Sequence, residues 1–192
     1  KVLLKVKALA YQMKHEWHLK PKDRVILCFP PGTDFLVAFL GCLWAGVIAV
    51  PVPAPRPDKL DLDLPKMQHV LKDSGARAVL TTTGYLWSMR AHGFLHAIKG
   101  MVSCKRQRAG CCDRLDGVSW YSTTSIRAAD YTSLVASEVP IPSSSDTAFL
   151  QYTSGSTADP KGVVITHSSL MHNMLVIVTA LRAKSETIVV SW

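Results

Sequence analysis

No Cys-x-x-Cys pair occurs among the five cysteines of this 192-residue chain, and His96, the only histidine near Cys104, Cys111 and Cys112, sits at no recognised zinc spacing. A metal knuckle is excluded on that ground, and no metal-ligating residue is assigned. The odd cysteine count is read as reduced thiols of a cytoplasmic protein. Gly-x-Gly-x-x-Gly is also missing, which leaves a Rossmann dinucleotide site without support. Neither a Ser/His/Asp triad nor a paired-carboxylate arrangement can be argued from spacing. Acidic residues are scarce, 14 Asp and Glu against 22 Lys and Arg, for a formal net charge of +8. That balance raises nucleic acid or an acidic membrane as partners. The one dense basic cluster, Lys105-Arg106 with Arg108, carries no interleaved aromatics for base stacking. It is read as a solvated loop, and nucleic-acid binding is set aside.

What the chain has is apolar surface to bury: 48% hydrophobic residues against 19% charged, enough for one globular core. Phe35 to Val52 is eighteen residues without a charge, formally the length of a membrane span. Local signals break it up. Gly32-Thr33-Asp34 is a turn with Asp34 read as a helix cap, the helix runs to Ala45, and Gly46 can end it in left-handed conformation. Val47 to Val50 then reads as a strand stopped by Pro51, Pro53, Pro55 and Pro57, and no transmembrane segment is expected. No signal peptide is read. Lys1 is not an initiator methionine and Trp192 closes a strand-like run, Thr187 to Trp192, so both ends read as cut.

Helix and strand signals alternate along the rest. Leu3, Val6, Ala10, Met13 and Trp17 make a helical stripe, and Arg24 to Phe29 a strand. Leu62, Met67, Val70 and Leu71 mark a helix ended at Ser74-Gly75, followed by a strand over Ala78 to Thr82 and a helix over Tyr85 to Ile98. Gly100 to Gly117 has no period and reads as loop, and Ile126 to Ala136 as a weak helix. A strand to Tyr152, a strand from Gly162, and a helix capped at Ser168 and running to about Arg182 close the series. This alternation predicts a three-layer α/β fold with a largely parallel sheet and flanking helices.

The stretch most informative about chemistry is Tyr152-Thr-Ser-Gly-Ser-Thr-Ala-Asp-Pro-Lys-Gly162. Hydroxyls, the unobstructed backbone of Gly155 and a cation at Lys161 after the stiffening Pro160 suit a polyphosphate, which needs many short donors and a compensating charge. The apolar run Thr147 to Tyr152 before it and the β-branched run Val163 to Thr166 after it read as two buried strands that hold the loop in place. Counting from Gly155 puts Pro160 where a Walker loop needs its second glycine, so a P-loop NTPase is excluded. His167 and His172, five apart, do not share a helix face and are read as structural.

The loop resembles the phosphate-binding signature of the adenylate-forming superfamily, which includes acyl-CoA synthetases, peptide-synthetase adenylation domains and luciferases. Its one departure is Ala158, where glycine is usual. Phe149-Leu150-Gln151 before the loop, Leu170-Met171-His172-Asn173 after it, and Phe29-Pro30-Pro31-Gly32 with the proline-rich run after Val50 are similar to the fatty acyl-AMP ligase branch. The resemblance implies a partial N-terminal AMP-binding domain over residues 1–192, truncated at both ends. It implies ATP-dependent activation of a fatty acid to an acyl-adenylate with release of pyrophosphate. Thr153, Ser154, Gly155, Ser156, Thr157, Lys161 and Gly162 would bind the nucleotide phosphates, with Lys161 the residue assigned to catalysis. It further implies Mg2+ held by a residue outside these 192, because the adenine-stacking and magnesium-binding motif of the family is not among them. For the same reason the isolated chain is expected to be inactive. An acyl carrier protein is the implied acceptor. The alternatives left open are an acyl-CoA synthetase that passes the acyl group to coenzyme A, and a non-catalytic truncated binding module.

Overall fold

The computed structural model describes residues 2–56, 59–91, 111–115, 118–124, 126, 142–153 and 160–188. The elements are helix α1 (Val2–His15), strand β1 (Arg24–Phe29), α2 (Thr33–Ala45), β2 (Ile48–Pro53), α3 (Leu60–Ser74), β3 (Ala78–Thr81), α4 (Thr83–Ala91), β4 (Cys111–Leu115), β5 (Val118–Ser122), β6 (Thr147–Thr153), β7 (Lys161–Thr166) and α5 (His167–Ala180). The strands form one seven-stranded sheet in the order β4-β5-β3-β1-β2-β6-β7. β5, β3, β1, β2 and β6 run parallel, and β4 and β7 lie antiparallel at the two edges. The expected three-layer α/β architecture with a largely parallel sheet is the one observed.

Its layering follows from the two-residue period of the strands. Val25, Leu27 and Phe29 of β1, Ala49 of β2 and Ala78 and Leu80 of β3 face one side, where they pack with Leu9 and Met13 of α1 and Ala38 and Cys42 of α2. Ile26 and Cys28, Val50 and Val79 face the other side, against Met67, Val70 and Leu71 of α3 and Tyr85 and Leu86 of α4. Each large aliphatic side chain so buried contributes roughly 1.5–3 kcal/mol. Gly46 (φ 71°) and Gly75 (φ 60°) end α2 and α3 in the left-handed conformation that the sequence anticipates, and their caps return N–H groups to the last-turn carbonyls.

Several expectations are corrected. Asp34 does not cap α2: Gly32 occupies the N-cap with no side-chain hydrogen bond, and Asp34 lies inside the first turn. β2 does not stop at Pro51 but continues to Pro53, paired with β1 through Leu27↔Pro51, Cys28↔Val52 and Phe29↔Pro53. Prolines two apart remove donors from one edge of a strand only. The unbroken six-pair register with β1 leaves those gaps facing β6, where Ala49↔Phe149 is the one registered pair. Part of the supposed loop from Gly100 to Gly117 is strand β4, paired antiparallel with β5, and Trp120 of β5 is buried in the α3/α4 layer. β7 is an exposed edge strand rather than a buried one, and α5 is capped by Thr166, whose hydroxyl accepts from the Ser169 N–H, rather than by Ser168. Residues 127–136 of the helix read over 126–136, the basic cluster at 105–108 and Cys104 lie outside the described residues.

Among the described residues no helix is long and apolar enough to cross a membrane. Cys28 and Cys42 are free thiols with no exposed surface. Burial pushes the Cys28 thiol up to about 12, partly offset by its hydrogen bond with Tyr85, and burial also raises Cys42. Because the thiolate is the reactive form, an aromatic disulfide reagent at neutral pH is expected to label neither residue until the chain is unfolded. Peptide mass mapping of labelled native protein checks this, and rapid native labelling at either position would contradict the packing described.

Candidate phosphate-binding site

Strands β6 and β7 form a hairpin in which Gln151 pairs with Val163, Tyr152 with Gly162, and Thr153 with Lys161. Residues 154–160 connect the last pair. β6 runs parallel to β2, so this connection leaves the sheet at the carboxyl ends of the parallel strands. Ligands of open α/β sheets bind along that edge, where loops diverge and backbone groups are unpaired. Hydroxyls from two other strand ends lie along it. Thr83 and Ser122 share a 2.5 Å hydrogen bond, the Thr83 N–H donates to Thr124 Oγ1, and Thr123 Oγ1 donates to the Thr81 carbonyl.

Of the residues assigned from sequence, Thr153, Lys161 and Gly162 are placed, whereas Ser154, Gly155, Ser156 and Thr157 lie outside the described residues. Thr153 and Lys161 face each other across the mouth of the loop, with Thr153 Oγ1 3.5 Å from the Lys161 carbonyl. Lys161 is exposed, and among the described residues no carboxylate pairs with it. A hydroxyl and an uncommitted ammonium at the two feet of a loop fit a polyphosphate by the chemistry of the donor set.

Gly162 also seats a neighbouring side chain. A Cβ built there would lie 2.9 Å from Cζ and 3.2 Å from the hydroxyl of Tyr152, so the phenol ring covers the glycine. The Tyr152 hydroxyl donates to Asp73 Oδ2 at 2.5 Å, in the last turn of α3. Its pKa is pushed up to about 12 by burial, and further by the hydrogen bond and the negative charge of Asp73, so the phenol stays a donor across the neutral range. Asp73 carried no sequence signal, being one of several carboxylates on α3, seventy-nine positions from its partner.

The opposite end of the hairpin is stapled separately. Lys22 Nζ lies 3.0 Å from Asp146 Oδ1, and the Ser143 N–H donates to Asp146 Oδ2. The Asp146 carbonyl accepts from the His167 N–H, and the Ser144 carbonyl from the Ser168 N–H. His167 therefore sits at the far end of β7 from Lys161, roughly 20 Å along the strand, in accord with its structural reading. The bond from Lys22 and that from the Ser143 N–H hold the Asp146 carboxyl below its ordinary value of 3.8. A depressed carboxylate contributes stability above its unfolded pKa and loses it as pH falls through the lower folded value. On acidification below about pH 4, the urea midpoint of the native sequence is expected to drop more than that of Asp146→Asn. Coincident slopes would show the staple to be energetically silent.

The chain is 31% identical over 189 residues to the medium-chain-fatty-acid–[acyl-carrier-protein] ligase JamA of Moorena producens, covering 98% of this chain and 28% of that protein. It is 33% identical over 163 residues to the long-chain-fatty-acid–AMP ligase FadD23 of Mycobacterium tuberculosis, covering 85% of this chain and 24% of the relative. The crystal structure of a fatty acyl-adenylate ligase from Legionella pneumophila, in complex with acyl adenylate and pyrophosphate, superposes with a TM-score of 0.74 at 31% identity. That match covers 97% of this chain and 28% of the solved one. The chain thus spans about a quarter of the length of the relatives it matches. Residues 1–192 match the family of AMP-binding enzymes throughout, and the chain belongs to that family.

Proposed function

We propose that these residues supply the phosphate-binding part of an ATP-dependent ligase that activates a fatty acid to its acyl-adenylate and releases pyrophosphate. The observation that carries the reading is the β6–β7 hairpin, which presents Thr153 and Lys161, the latter with no carboxylate partner among the described residues, at the carboxyl edge of a mainly parallel sheet. In this reading Thr153, Ser154, Gly155, Ser156 and Thr157 donate to the β- and γ-phosphates, and Lys161 offsets their charge. Gly162 lies next to Lys161, beneath the Tyr152 ring. Held this way, ATP presents its α-phosphorus to the carboxylate of the fatty acid, with pyrophosphate as the leaving group. The protein's contribution is orientation and electrostatic stabilisation. Mg2+ accompanying the nucleotide is held by residues beyond these 192.

The domain reading is likewise a proposal: the 192 residues form one portion of a larger N-terminal AMP-binding domain. Two observations support it. The chain spans only about a quarter of its relatives. In addition, β7 and α5 leave Val164, Met171 and Leu175 exposed, apolar surface that soluble domains ordinarily cover. The acyl group is expected to pass to an acyl carrier protein, a reading supported by the name of the Moorena relative.

The full-length polypeptide carrying these residues, incubated with labelled fatty acid, ATP, magnesium and coenzyme A, should accumulate acyl-adenylate. Efficient acyl-CoA formation would instead assign it to the acyl-CoA synthetases. In the same assay Lys161→Ala should lower pyrophosphate release roughly 10- to 100-fold, the range for loss of a charged hydrogen bond. Unchanged kinetics would mean the loop does not bind phosphate.

Residues 1–192 alone should catalyse no ATP–pyrophosphate exchange, since the family's adenine and magnesium contacts are not among them. Exchange above a protein-free control, with any fatty acid, would overturn that expectation.

A further inference from the structure

The two feet of the loop are held by something other than their own backbone ladder. Tyr152 sits immediately before Thr153 and opposite Gly162, and its ring lies against the core formed by β1, α3 and α4. Two contacts locate the ring. Below it, Gly162 leaves room that any side chain would fill, since a Cβ would lie 2.9 Å from the ring. At its tip, the hydroxyl donates to Asp73 on α3. Ring and glycine thus couple the first foot of the loop to the second, and the hydrogen bond couples both to a helix of the main layer. Displacing the ring would shift the residues on either side of the pair, Thr153 and Lys161, which are those assigned to phosphate.

We propose that Tyr152, seated on Gly162 and hydrogen-bonded to Asp73, is a positioning residue that sets the spacing of Thr153 and Lys161 for the phosphates of ATP. The proposal rests on the function given above but is separable from it. β7 is an exposed edge strand and β6 has one registered pair with β2. Near the loop, the Tyr152–Asp73 bond is a side-chain tie between the hairpin and α3. An aromatic ring over a cross-strand glycine restores packing that the glycine lacks, and a hydroxyl-to-carboxylate bond adds direction to it.

The test uses the full-length polypeptide, with Tyr152→Phe, Asp73→Ala, Asp73→Asn and Gly162→Ala compared in ATP–pyrophosphate exchange. Tyr152→Phe and Asp73→Ala should each raise the KM for ATP about three- to ten-fold, while the KM for fatty acid stays put. Their combination should be no worse than the worse single change, because both remove one bond. Asp73→Asn, which keeps an oxygen acceptor, should recover most of the loss, and Gly162→Ala, which evicts the ring, should match Tyr152→Phe. Hydrogen exchange across residues 153–161 reads the clamp without activity. It should quicken in Tyr152→Phe and Asp73→Ala while the strands of the central sheet keep native protection. A native protein that performs no exchange reaction refutes the functional reading and leaves the clamp to be judged by hydrogen exchange. An active native protein whose variants change neither the KM for ATP nor the exchange of the loop refutes the clamp alone. A lowered melting temperature without either effect refutes it too, reducing Tyr152 to a packing residue.

Discussion

Burial of β1, β2 and β3 on both faces is the constraint from which the other features follow. A strand covered on two sides must be apolar at every position, must satisfy its backbone within the sheet, and must return through helices that shield it. Val25, Ile26, Leu27 and Cys28 meet the first demand in four consecutive residues, feeding both layers of the core by turns. The helices that meet the third demand carry the chain back each time, so the strands run in one direction and end along one edge. The loops that diverge at that edge leave polar groups without ladder partners, and phosphate chemistry becomes possible there.

The sheet changes character at its margins. β4 and β7 reverse direction, and β7 is exposed along most of its length. The reversal at β7 sets Thr153 opposite Lys161, with the seven residues 154–160 between them in sequence. A parallel crossover could not have set them face to face without a dozen or more intervening residues. Two unrelated contacts stiffen the hairpin, the Lys22–Asp146 pair at its open end and the Tyr152–Asp73 bond near the end closed by the loop.

Much of the architecture was legible because neighbouring residues specify it. Strand β1, helix α2 with its glycine stop at Gly46, helix α3 with its stop at Gly75, and the start of α5 near its hydroxyl cap all depend on side chains within a turn or a pleat of one another. Local rules fail where distant partners override them. Pro51 and Pro53 would end an isolated strand, but their missing donors point away from β1, and the ladder continues. Cys111 to Leu115 lacks apolar periodicity because its pairing with β5 at the sheet margin does not require burial on two sides.

The candidate phosphate loop is a local object. Its hydroxyls, glycine and lysine follow one another in sequence, and their chemistry is readable without coordinates. Its setting is not. That β7 is an exposed edge, that His167 is stapled to Asp146 roughly 20 Å from Lys161, and that Asp73 holds Tyr152 over Gly162 depend on side chains brought together by the packing of α3 and β6 on one sheet. Periodicity and turn chemistry act over a few residues, and no pattern in the linear chain encodes which of several carboxylates on a helix will face one phenol seventy-nine positions away.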